Sequence, residues 1–205
     1  MSTDINYKIH HYCCDHVNDA SWGCVWRNIQ TMMDSFKLPV PSMKDLAIFF
    51  EKEEYFSKIT KGDKDIALTT LWLEPYEAGK YFEHLGFKVC NILWIKSDEG
   101  MANIMNTPLD VYLDNPELSI YNPSRKSDFT NIIVNYLKNY NHPILIDNGT
   151  FSYLIGSYLI VDNKLSIIRI DPHTNELKDT ISVRELDKLL DAQMWMVMFV
   201  MPKKK

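Results

Sequence analysis

The sequence predicts an α+β fold, with helices packed on one side of a mostly antiparallel sheet. Three observations predict it. Apolar residues recur at helical spacing in the first third, as in Val25, Ile29, Met32, Met33 and Phe36. Apolar and alternating runs cluster after Pro143, where turn residues separate them. No internal repeat or composition break divides the chain, so residues 1–205 read as a single domain.

Taken in order, residues 1–20 are irregular and rich in His, Cys and Asp. The Val25 stripe predicts a helix over 25–37, stopped ahead of Pro39. Ser42 is a good N-cap for a second helix over 43–54. Residues 57–70 are polar, with Lys61-Gly62-Asp63 as a turn signal. Pro75 suits the first turn of a third helix, with Tyr76, Tyr81, Phe82 and Leu85 on its apolar face and Gly86 just past its end. Residues 87–94 alternate as a strand does.

Residues 97–126 show no period and contain three prolines, which predicts a surface excursion. Ser127 and Asp128 cap the next predicted helix, where Phe129, Ile132, Ile133, Tyr136 and Leu137 share a face. Residues 143–147 read as a short strand, and 153–161 and 165–170 as a hairpin turning at Asp162-Asn163-Lys164. Ser182 predicts a helix running to Leu190, and 194–200 a buried last strand.

The composition excludes some classes of function. A net charge of −5 argues against nucleic acid or an anionic membrane as the main partner. No apolar run reaches membrane-spanning length, and the polar N-terminus does not resemble a signal peptide. The expectation is a cytoplasmic monomer whose Cys13, Cys14, Cys24 and Cys90 are reduced. Lys203-Lys204-Lys205 reads as a solvated tail.

Two patterns carry chemistry. Cys24 follows Trp22-Gly23 and begins the first helical stripe. A thiol there faces orphan backbone N–H groups and the positive end of a helix dipole, a setting that favours the nucleophilic thiolate. A lone cysteine is more often a small buried hydrophobe, so Cys24 needs a base. Asp171-Pro172-His173 closes the hairpin's second strand. Residues two apart in extended backbone share a face, which sets a carboxylate beside an imidazole. Taken alone it is an ordinary polar turn; opposite a helix-capping thiol it matches the architecture of papain-like cysteine proteases.

Trp22-Gly23-Cys24, with Arg27, Gln30 and Thr31 after it and Asp171-Pro172-His173 downstream, resembles the peptidases specific for the ubiquitin-like modifier UFM1 (the UFSP family). The match extends upstream to Asn18-Asp19 and to Tyr12, twelve residues before the cysteine. The resemblance implies a papain-like fold and a thiol protease that cleaves after the C-terminal glycine of UFM1, as endopeptidase on its precursor or isopeptidase on its conjugates. It makes Cys24 the nucleophile, His173 the base, Asp171 the group that orients it and Tyr12 an oxyanion-hole donor. It places Trp22 and Trp72 beside the substrate, and it needs no metal or organic cofactor.

Two departures stand out. Ser21 occupies a position where the family motif has Gly, suited to a positive φ. Tyr153 stands on the strand where a related polyubiquitin-cutting branch carries its catalytic histidine, so that triad order cannot be assembled here. Other readings are an Atg4-like protease acting on Atg8-type proteins, favoured by Thr174 after His173, and a deubiquitinase-like or ubiquitin-like-binding protein of the same fold. The His10 to His16 segment holds potential metal ligands, but adjacent Cys13 and Cys14 lack the usual two-to-four-residue spacing.

Overall fold

The last strand, Met194–Met201 (β7), is apolar at every position, so both its faces must be covered. A computed structural model, which describes residues 5–52, 72–96, 119–191 and 194–202, places it in mid-sheet. Among these residues the other strands are Lys88–Ile95 (β1), Ser119–Tyr121 (β2), Ile144–Asp147 (β3), Ser152–Val161 (β4), Lys164–Ile170 (β5) and Ile181–Glu185 (β6). They form one sheet in the order β2-β1-β7-β3-β4-β5-β6, antiparallel except for the β1–β2 pair.

Alternation along the strands sorts side chains into two layers. Val89, Leu145, Leu154, Ile170, Met198 and Val200 face one core. Ile92, Trp94, Ile144, Ile146, Ile155, Ile167, Val197 and Phe199 face the other. The helices Cys24–Ser35 (α1), Met43–Lys52 (α2) and Pro75–His84 (α3) supply the first core through Val25, Trp26, Ile29, Met32, Leu46, Phe50, Ala78 and Phe82. Lys126–Tyr140 (α4) and Leu186–Leu189 (α5) cover the second through Phe129, Ile133, Tyr136, Leu137 and Leu186. The helices therefore lie on both faces, where one-sided packing was expected. The fold class stands as α+β with a mostly antiparallel sheet.

Three local expectations change. Part of the unperiodic excursion is a strand: β2 pairs in parallel with β1 through Ser119, Ile120 and Tyr121. Asn122, not Ser127, caps the turn that leads into α4, accepting from the Ser124 N–H at 3.1 Å. Ser182 lies within a strand, because β6 pairs with β5 from Ser166↔Glu185 to Ile170↔Ile181; only the single turn of α5 follows. The hairpin turn is as expected, with Asp162 and Asn163 both at positive φ. Gly86 follows α3 at φ 87°. The polar stretch 57–70, the excursion over 97–118 and the lysine tail lie outside the described residues.

Geometry positions the site. α1 packs across β4, fixed by Asn28 Nδ2 donating to Ser152 Oγ at 3.1 Å. The end of β5 then comes level with the beginning of α1.

Candidate active site

Cys24 is the first residue of α1, and no side chain caps that helix end. The first intrahelical bond runs from the Arg27 N–H to the Gly23 carbonyl at 2.9 Å, so the Cys24 N–H lies ahead of it. The first turn carries no acidic residue that would offset the dipole. The turn before it is built on Asp19, whose carbonyl accepts from the Trp22 and Gly23 N–H groups at 3.2 and 2.9 Å. Gly23 has an ordinary φ of −82°; its need is space, because a Cβ there would lie 2.6 Å from Asp19 Cβ. Ser21 does adopt the left-handed region expected for it, at φ 79°.

Asp19 and Arg27 form a fully buried ion pair, Nε to Oδ2 at 2.6 Å. Asp19 Oδ1 accepts from the Cys13 N–H at 2.8 Å. Arg27 also holds Asp15 at 2.6 Å and Gln30 Oε1 at 3.0 Å, and Gln30 reaches on to the Pro41 carbonyl at 2.9 Å. The Arg27 bond keeps the Asp15 carboxyl below its usual value against the smaller opposing pull of desolvation. Arg27, known from the sequence only as a member of a motif, thus lashes the segment after Tyr12 to α1, while Gln30 ties Arg27 to the Pro41 backbone.

The four residues expected to act together do meet. His173 Nδ1 lies 2.7 Å from Asp171 Oδ1, and the His173 N–H donates to the same oxygen at 3.0 Å. Cys24 lies close enough to the His173 imidazole and to the Tyr12 hydroxyl to act electrostatically on both. Burial alone would lower the His173 pKa. Its bond to Asp171 and its interaction with Cys24 prevail and raise it to about 9, so the ring carries a proton at neutral pH. Burial likewise works to raise Asp171, but the bonds from His173 hold its carboxyl below the ordinary range. Burial, then Cys24, keeps the Tyr12 hydroxyl protonated well above its usual limit, so it remains a donor.

Aromatic rings enclose the imidazole. Tyr12, Phe151 and Tyr153 all stand near edge-on to His173, with centroids 5.3, 5.2 and 5.4 Å away. Cys24 is 1% exposed, while Phe151 is 46% exposed and marks the open side. Phe151 and Arg169 were not singled out from the sequence. Arg169 is the penultimate residue of β5, two before Asp171; Asp171 and His173 then lie in a turn, where extended backbone was expected.

Trp72 is exposed and, with Leu73, Glu74, Asp147, Gly149 and Thr150, lines an open cleft. Burial raises the Asp147 carboxyl to about 7 despite the Gly149 N–H donated to it at 2.6 Å. Trp22, also expected beside substrate, belongs to the core, with its ring edge-on to Trp26 at 5.6 Å. Among the described residues no group of three or more His, Cys, Asp or Glu side chains could hold a metal ion.

Comparison with known proteins agrees with this fold. Residues 1–199 match the family described as Peptidase family C78. The chain is 23% identical over 181 residues to a probable Ufm1-specific protease 2 of Drosophila melanogaster, covering 87% of this chain and 26% of that protein. It is 23% identical over 171 residues to Ufm1-specific protease 2 of Gallus gallus, covering 82% and 31%. The crystal structure of UfSP from C. elegans superposes with a TM-score of 0.62 at 16% identity, over 97% of this chain and 33% of that one. The chain thus spans about a third or less of the length of these relatives. With nearly its whole length inside the family's profile, this chain belongs to peptidase family C78.

Proposed function

We propose that this chain is a thiol peptidase that cleaves after the C-terminal glycine of the ubiquitin-like modifier Ufm1, from its precursor or from lysine conjugates. The observation that carries the reading is the Asp171–His173–Cys24–Tyr12 constellation at the uncapped beginning of α1. The names of the relatives supply the substrate.

In this mechanism the Cys24 thiolate attacks the glycine carbonyl and forms the C–S bond. The negative charge moves to the carbonyl oxygen, where the Tyr12 hydroxyl and the Cys24 N–H receive it. His173 gives its proton to the leaving amine as the C–N bond breaks. His173 then takes a proton from water, which attacks the thioester and releases the free carboxylate and the thiol. Asp171 holds the ring in one tautomer throughout. The near-complete cover over Cys24 favours a residue without a side chain at the scissile bond.

A panel of C-terminal electrophile probes built from Ufm1, ubiquitin and Atg8-type proteins tests both parts. Labelling of Cys24 by the Ufm1 probe alone is the expected result. Preferential labelling by an Atg8-type probe would transfer the substrate to that class. Labelling that survives Cys24→Ala would remove the nucleophile.

A further inference from the structure

Arg169 lies beyond the four residues used above, and three observations bear on it. Its Nη2 is 3.3 Å from Asp171 Oδ2, the carboxylate oxygen that His173 does not use. Its guanidinium lies over the Tyr153 ring at 4.5 Å from the centroid, and Tyr153 in turn stands edge-on to His173. Its Nε is buried with no hydrogen-bond partner among the described residues, although the side chain keeps some exposure. A surface arginine stacked for packing alone would turn that N–H to water; here Asp171 and the tyrosine ring hold the guanidinium.

We infer that Arg169 is a positioning residue for catalysis, clamping the free oxygen of Asp171 so that the carboxylate stays ionised and aimed at His173. The inference rests on the peptidase reading of Cys24. Arg169 is the penultimate residue of β5, and Asp171 and His173 follow in the turn that leaves it, so the clamp, the orienting acid and the base are neighbours at one end of the strand. The Tyr153 ring supports the clamp from the side of β4.

The sign of its effect follows from charge. A cation beside the pair disfavours protonation of every group it faces. The groups around it are Cys24, Tyr12 and Asp19 from the nucleophile side, Asp147 from β3, Tyr153 from β4, and Asp171 and His173 themselves. Removing the Arg169 charge therefore moves the acid limb of a pH–rate profile upward. A residue that served packing alone would lower the rate at every pH and leave that limb in place.

The test is alkylation of Cys24 by iodoacetamide between pH 4 and 10, in the unaltered chain and in Arg169→Met, Arg169→Gln and Arg169→Lys. The neutral variants are expected to shift the acid limb, where the thiolate forms, up by about half to one pH unit and to lower the rate near pH 5 about three- to tenfold. Arg169→Lys, which keeps the charge, is expected to return the limb most of the way. An unshifted acid limb in whichever neutral variant folds, or a uniform loss of rate, would overturn the proposal. If the unaltered chain alkylates at pH 6 no faster than free cysteine, the peptidase reading itself fails, a result distinct from failure of the clamp.

Discussion

The backbone N–H of Tyr12 donates to the carbonyl of Pro172 at 2.9 Å. That one bond joins the segment carrying Tyr12 to the turn carrying His173. Tyr12 and His173 are 161 residues apart in sequence, yet they cannot move far without each other. Tyr12→Phe keeps the backbone bond and the ring contact with His173 and deletes only the hydroxyl. It is expected to lower kcat by roughly ten- to a thousandfold with little change in KM. Steady-state cleavage of a Ufm1 fusion measures this; an unchanged kcat would remove Tyr12 from the oxyanion hole.

Arg27→Met leaves Asp19 as a buried, unpaired carboxylate and frees Asp15 and the loop before it. Breaking a buried ion pair from one side costs about 3–5 kcal/mol. Urea denaturation of the variant should show a loss of that order, and its probe labelling should fall because Tyr12 is no longer held. A loss under about 1 kcal/mol would mean the pair is replaced by water.

Ser21 holds φ 79° at a position suited to glycine. An L residue in this region costs about 1–2 kcal/mol, and glycine's extra chain entropy returns part of that. Ser21→Gly should therefore stabilise the protein by about 0.5–1 kcal/mol, a rise in Tm of a few degrees. A lower Tm would show that the serine hydroxyl contributes more than the strain.

The Asp171–His173 pair makes stability depend on pH at both ends. Asp171 is depressed below its ordinary 3.8, so its contribution is present above that value and is lost as pH falls through the folded pKa. His173 is raised from 6.5 to about 9, so its contribution is full below 6.5 and is lost as pH rises through about 9. The stability difference between the unaltered chain and His173→Ala should be largest between about pH 4 and 6.5 and shrink toward pH 9. A difference flat across that range would contradict the pairing.

Asp147 works in the opposite sense. Its pKa rises with burial from 3.8 to about 7, so ionising it in the folded state destabilises the protein progressively between those values and fully above about 7. Asp147→Asn is expected to raise stability at pH 8 by about 2–4 kcal/mol and to have no such effect near pH 3. Thermal unfolding at the two pH values checks it, and an equal gain at both would point to packing instead.

Much of this site was legible because its signals are local. Cys24 at the head of a helical stripe needs only the period 3.6; Asp171 and His173 meet because they are close in sequence, through a turn rather than the shared strand face that a period of 2 implies. Asp19 and Asp147 resisted because their burial is set by segments distant in sequence. Arg169 could have been reached by its place in β5, two residues before Asp171. Ser182 misled because its capping signal competes with the alternation of Ile181 and Val183, and pairing with β5 settled the matter. The two-sided helix layer was hidden for a similar reason: an apolar strand such as β7 does not say which helix covers which face. β2 offered no local signal; three residues become a strand only because β1 lies beside them.

β7 follows every other strand in the chain, yet it lies between β1 and β3 and joins the two halves of the sheet. Until it is made, no strand pairing among the described residues connects the β2–β1 half to the half that precedes Asp171 and His173. Such long-range closure is slow and comes late. A nascent chain that already displays Cys24, Asp171 and His173 therefore still lacks the strand that ties the two halves of the sheet together.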